Sequence, residues 1–197
     1  MEAFQKKKNT TQQNAAILSV RRRGQDVRLY WDGQTDRPVR RYDVYCNGAL
    51  LQSVSGRKQC CKIQTDGRYA VKAVLKNGEV HTLPEALELN ASEGYYFGNI
   101  RYYQNRQLTK RLTPGCVEIA VDVGNISSVP FFAVLVGMVY QGGRLIGCES
   151  ISESVDYGAK ELRLSMEMES PDNMLLHVFL WNGMDFENPL LETSVIA

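Results

Sequence analysis

The stretch DGRYAVKAVLKNGEV, residues 66–80, decides how the rest of the chain reads. Tyr69, Val71, Ala73 and Leu75 fall on one side of a period-two pattern, which lays a single apolar row along a β-strand. Asp66-Gly67 precedes the run and Asn77-Gly78 ends it. Such pairs tolerate the positive φ of tight turns, so a strand bounded by them belongs to hairpins.

The same grammar extends in both directions. VRLYW (27–31) sets Val27, Leu29 and Trp31 against Arg28 and Tyr30. RYDVYC (41–46) sets Tyr42, Val44 and Cys46 against Arg41, Asp43 and Tyr45, and leads into Asn47-Gly48. LPEALELNASEG (83–94) weakens the pattern. By propensity it could be a short helix, but among β elements it reads as a last strand over 86–89 followed by a linker. Strands then resume. In CVEIAVDVGN (116–125), Val117, Ile119, Val121 and Val123 point in. FFAVLVGMVY (131–140) is apolar on both faces, as a central strand covered on both sides would be. KELRLSMEMES (160–170) alternates Leu162, Leu164, Met166 and Met168 with polar residues, the methionines filling core. LLHVFLW (175–181) puts Leu176, Val178 and Leu180 on one face and Leu175, His177, Phe179 and Trp181 on the other. No long segment has helical period, and no internal sequence repeat stands out. The fold class is all-β, as two consecutive antiparallel β-sandwiches. The expected division is a flexible tail over 1–14, a first sandwich over 15–91 and a second over 92–197.

Composition bounds function. Among 197 residues the net charge is +1, too small an excess for a nucleic-acid partner. The basic runs Lys6-Lys7-Lys8, Arg21-Arg22-Arg23 and Arg40-Arg41 read as a tail, an exposed strand and a loop. No apolar stretch reaches the length of a membrane helix, so membrane insertion is not expected. MEAFQKKKNTTQQNAA lacks the apolar core of a signal peptide, so the chain as given is read as carrying none. Five cysteines without a CxxC pair or a Cys/His cluster give no zinc signature, and free, partly buried thiols are expected.

Catalytic signals are missing from the pattern. His81 and His177 have no neighbouring nucleophile motif, and no phosphate loop or calcium loop occurs. The expectation is no enzyme, no cofactor and no metal. Aromatic residues supply the candidate binding surfaces. GYYFGNIRYY (94–103) interleaves Tyr95, Tyr96 and Tyr103 with Arg101, and Arg106 follows. Exposed, these could stack on sugar rings or on bases; alternatively Tyr96, Ile100 and Tyr102 pack and their neighbours join the two sandwiches. Tyr30 and Tyr45, on the face opposite the first core, form a second candidate surface.

Two resemblances sharpen the reading. VRLYWDG, VRRYDVYCNGALL and DGRYAVKAVLKNGEV resemble a fibronectin type III domain over about residues 15–90, with Tyr69, Val71, Ala73, Val74 and Gly78 matching that family's tyrosine-bearing strand. Tyr69 would then bury its ring in the tyrosine-corner manner. NIRYYQNRQLTKRLTPGCVEIAVDVGN, AVLVGMVYQGGRLIGCES and HVFLWNGMDFENPLLE resemble a C-terminal β-sandwich module of secreted bacterial cell-surface and polysaccharide-degrading proteins. Val178, Phe179, Trp181, Pro189 and Leu190 carry its closing phrase, and Asn182 departs from it where an Asp is usual. The resemblances imply immunoglobulin-like, fibronectin III-like sandwiches in a non-catalytic accessory protein with a protein or polysaccharide partner. They imply a cell-surface or extracellular location if the chain is part of a longer secreted protein. The alternative is a structural subunit of an assembled particle, phage or surface fibre, which would self-assemble. Trp181 and Phe179 are expected to bury against Pro189 and Leu190 or against the first sandwich.

Overall fold

The computed structural model describes residues 17–32, 35–63, 66–169, 174–183 and 189–196. The expected tail over 1–14 lies outside them. Every described element is a strand: β1 (Ile17–Arg23), β2 (Asp26–Asp32), β3 (Val39–Cys46), β4 (Ala49–Ser55), β5 (Cys60–Ile63), β6 (Gly67–Leu75), β7 (Val80–Asn90), β8 (Tyr95–Gly98), β9 (Arg101–Gln104), β10 (Gln107–Thr109), β11 (Gly115–Asn125), β12 (Phe131–Gln141), β13 (Arg144–Val155), β14 (Gly158–Met168), β15 (Met174–Asn182) and β16 (Leu191–Ile196).

In the first sandwich the sheet β1-β2-β5 packs on β4-β3-β6-β7. Its core joins Leu29, Trp31 and Ile63 of one sheet to Tyr42, Val44, Tyr69 and Val71 of the other. Tyr69 is fully buried. In the second, β9, β11 and β14 lie side by side and pack on β13-β12-β15-β16. Val117, Ile119 and Val121 there meet Leu135, Leu176 and Val178. Counting strands within each half, and taking β9 with its short hairpin partner β10 as the first, both follow one rule. Strands one, two and five form one sheet, and four, three, six and seven form the other. This is the fibronectin III arrangement, and the chain contains it twice. The repeat is one of topology, which explains why no sequence repeat was visible.

The two halves are fused by β8. Its register partners are Leu87 to Asn90 of β7 on one edge and Val123 to Asn125 of β11 on the other. One continuous sheet therefore runs β4-β3-β6-β7-β8-β11 from the first sandwich into the second. Successive side chains of a strand point to opposite faces, and β8 uses both. Tyr96 sits in the first core, while Tyr95 and Phe97 sit in the second. The sheet changes the face it buries at this strand. Residues 91–94, expected as a linker, form instead the turn of the β7–β8 hairpin, with Gly94 at φ 85°. A linker would leave the β7 edge unpaired; β8 pairs it. The expected boundary at 91 and 92 falls in this turn, and Tyr96 and Ile126, both beyond it, belong to the first core.

Asn125 ties the end of β11 to the turn after it and to the end of β13. It is buried, donates from Nδ2 to the carbonyls of Val129 (2.8 Å) and Val155 (2.9 Å), and accepts at Oδ1 from the Ser127 amide (2.7 Å). A buried amide so fully bonded costs little and fixes three chain segments together.

The outer face of β12 and β15 carries a small core of its own. Trp181 packs there with Val134 and Val136, and Phe179 and Met138 flank them. Phe179 stacks on Trp181 at 5.0 Å between centroids, and His177 stacks on Phe179 at 6.0 Å. Trp181 is buried, but against this face. Leu190 and Leu191 pack on the main core behind it. The expected cover by Pro189 and Leu190 or by the first sandwich is corrected: Leu190 packs on the main core, and the described partners of Trp181 in this cluster are Val134, Val136, Met138 and Phe179.

Candidate functional site

Strand geometry scatters the candidate surface residues. Tyr95 and Tyr96 are buried and present no surface, which corrects their assignment as stacking residues; their hydroxyls serve the interior. Tyr96 is hydrogen-bonded to the Val20 backbone, and burial pushes Tyr95 up to about 12. Arg101 is held on the outer face of the second sandwich, with Nη1 2.8 Å from Asp122 and Nη2 2.8 Å from Glu161. Arg163 continues this network to Glu161 (2.5 Å) and Glu118, and lies over the Tyr103 ring. Three carboxylates against two guanidiniums leave that patch without spare positive charge. Arg106 is exposed in the β9–β10 turn beside Asn105, both at positive φ, as a tight hairpin requires. Tyr45 lies under Lys72 at 4.5 Å, toward the opposite end of the fused sheet from Arg101 and Tyr103. These residues do not converge.

Tyr30 is the exception. It belongs to the outward face of β1-β2-β5, where sequence alternation places Arg21 and Arg23 on β1 and Arg28 on β2. Register sets Arg21 opposite Arg28 and Arg28 opposite Lys62, a row of three cations across three strands. Like charges directly opposite one another in a sheet are destabilising. Asp26 answers part of the row: its carboxylate bonds Arg28 Nε (2.8 Å) and lies 3.1 Å from Lys62 Nζ. Those two partners hold Asp26 below the usual carboxylate range. Among the described residues Arg21, Arg22 and Arg23 form no close ion pair, although register sets Arg23 opposite Asp26. Arg21 lies over the Tyr30 ring at 5.1 Å, a cation–π contact.

The second sandwich completes the feature. Tyr157, in the connection between β13 and β14, donates its hydroxyl to the Arg22 carbonyl at 2.8 Å across the junction. Arg21, Arg22, Arg23 and Arg28, with Asp26, Tyr30 and Tyr157, line a cleft of about 550 Å³. Arg22 brings a shielded Nε–H that meets no acceptor among the described residues. Sequence reading had placed the arginine run on an exposed strand and Tyr30 and Arg28 on the outward face. It could not place Tyr157, which arrives from 135 residues away in sequence.

Elsewhere the chemistry is quiet. No disulfide joins the five cysteines, and burial pushes Cys61 up to about 11, which keeps it protonated and unreactive at neutral pH. His81 is exposed beside Glu79, and His177 is part of the outer aromatic stack. Among the described residues no group of His, Cys, Asp and Glu is arranged to hold a metal ion.

The chain matches no protein-family model and no curated protein sequence. Its fold is similar to several solved structures. The central fibronectin-III array of RIM-binding protein is 14% identical, with 93% of this chain and 68% of that chain covered and a TM-score of 0.37. The fibronectin(III)-like modules of Clostridium thermocellum CbhA are 15% identical, with 91% and 92% covered and a TM-score of 0.30. A Bacteroides uniformis beta-glucuronidase is 13% identical with a TM-score of 0.39; 81% of this chain aligns to 23% of that longer one. The fibronectin III-like assignment itself rests on the strand order of the two sandwiches.

Proposed function

We propose that the chain is a non-catalytic accessory protein whose two sandwiches form a single body that presents a binding face to a polysaccharide or protein partner. The observation that carries the proposal is β8. A strand shared by both cores leaves no free linker between them, which suits an element that spaces or orients something else. The resemblance of the closing phrase around Trp181 to modules of secreted bacterial proteins supports a cell-surface or polysaccharide-associated setting, and an extracellular one where the chain is part of a longer secreted protein.

The test is a panel of soluble and insoluble polysaccharides and cell-wall fractions, scored for retention of the full chain and for release of reducing sugar. Retention on at least one polymer without turnover is expected. Turnover that a single point substitution abolishes would sink the accessory reading and make the chain an enzyme.

A further inference from the structure

We infer that the arginine cleft at the junction of the two sandwiches binds the acid groups of an anionic polysaccharide, one that carries carboxylate or sulfate on its sugar rings. This rests on the accessory reading above and names the chemistry of its partner.

Charge is the first argument. A row of like charges across a sheet costs stability, and Asp26 is already engaged by Arg28 and Lys62. Arg21, Arg22 and Arg23 therefore bring more positive charge to the cleft than Asp26, which stands opposite Arg23 and already bonds Arg28 and Lys62, can balance. The second argument is the donor. Arg22 lines the same cleft, and its Nε–H meets no acceptor among the described residues. Guanidinium forks bond carboxylate and sulfate oxygens in pairs, more strongly than neutral donors do. Shape is the third. About 550 Å³ lies within the range of small-ligand sites, so the cleft takes a short segment of a polymer. Tyr30 and Tyr157 place aromatic rings beside the cations, as sugar recognition needs.

The same features decide against other anionic partners. Nucleic acid is held by long basic tracks, whereas the arginines here are gathered in one cleft. A bilayer offers its headgroups on a broad surface, whereas these arginines line a cleft that Tyr157 closes on one side.

Calorimetric titration of the full chain tests the inference. The ligands are polygalacturonate for carboxylate, dextran sulfate for sulfate, and neutral dextran, a single-stranded oligodeoxynucleotide and phosphatidylglycerol vesicles for comparison. The chain is expected to bind at least one acidic polysaccharide, with affinity falling as salt rises, and to bind the oligonucleotide and the vesicles far more weakly. The double variant Arg21→Gln/Arg23→Gln should weaken that binding roughly tenfold or more. Its melting temperature should stay within about 2 °C of the parent, because both side chains are exposed. Arg111→Gln/Arg144→Gln removes the same charge at exposed positions outside the cleft and should leave affinity unchanged. Equal weakening by both double variants would overturn the site, reducing it to net charge. Oligonucleotide or vesicle binding as tight as the polysaccharide's, and lost with Arg21 and Arg23, would overturn the ligand class. Binding of neutral dextran alone, unaffected by either variant, would overturn the cleft and leave the accessory reading standing. Binding of none of the polysaccharides, here or in the wider panel, would remove the polysaccharide partner from both.

Discussion

Tyr96 stands opposite Gly124 across the β8–β11 ladder, and its ring occupies the space a side chain would fill there. A Cβ on Gly124 would lie 2.1 Å and 2.2 Å from ring carbons of Tyr96. The ring is locked in the first core and the backbone belongs to the fused sheet, so neither yields easily. Gly124→Ala should destabilise the protein by roughly 1–3 kcal/mol through overpacking, read from urea unfolding midpoints. An unchanged midpoint would mean that Tyr96 swings out freely. Asp43 offers a test of electrostatics at the same scale. It is buried on the outer face of β3, accepts from Arg41 Nε (2.9 Å) and from Ser53 Oγ (2.5 Å), and its carboxyl is held below the usual range chiefly by the Arg41 hydrogen bond. A lowered folded-state pKa means that the stabilisation is present above the unfolded value near 4 and is lost as pH falls through the folded one. Asp43→Asn should cost about 1–2 kcal/mol at pH 7. The gap between variant and parent should narrow below about pH 4; a gap constant with pH would assign the effect to packing.

At the scale of elements, the outer cluster on β12 and β15 is the feature to probe. Phe179 and Trp181 share one face and stack on each other. Trp181→Ala should cost about 3 kcal/mol, the low end for such a deletion, because water can refill a site on an outer face. Phe179→Ala added to it should cost less than its single-variant effect, since stacked partners are coupled. Strict additivity in a double-mutant cycle would mean that the stack contributes nothing beyond burial. The elements themselves were legible in the sequence. Period-two alternation and the Asn47-Gly48 and Asn77-Gly78 turns located most of the strands, and the two-faced apolar pattern of 131–140 and 175–181 announced central strands; Asp66-Gly67, expected in a hairpin, instead stands where the chain passes from β5 in one sheet to β6 in the other. Pairing was not legible. Tyr95, Tyr96 and Phe97 form one aromatic run locally, and only long-range register assigns its alternate members to different cores. The pattern could say that these rings pack or join, but not that one strand closes two sheets. Nor could it bring Tyr157 to Arg22, because a charge run on a strand carries no record of what stands across from it.

On the scale of the whole molecule, the chain is two copies of one topology joined through β8. That fusion positions Tyr157 over the end of β1 and so makes the arginine cleft. The chain has two tryptophans, Trp31 in the first core and Trp181 in the second half, so each half carries its own reporter. Equilibrium urea unfolding of Trp31→Phe and Trp181→Phe, followed by the fluorescence of the remaining tryptophan, is the most direct measurement. After correction for the stability of each variant, coincident midpoints and slopes are predicted, with each slope reporting the surface of the whole chain. Two separated transitions, each with a slope suited to about half the chain, would show that the sandwiches fold independently and would contradict the shared-strand account.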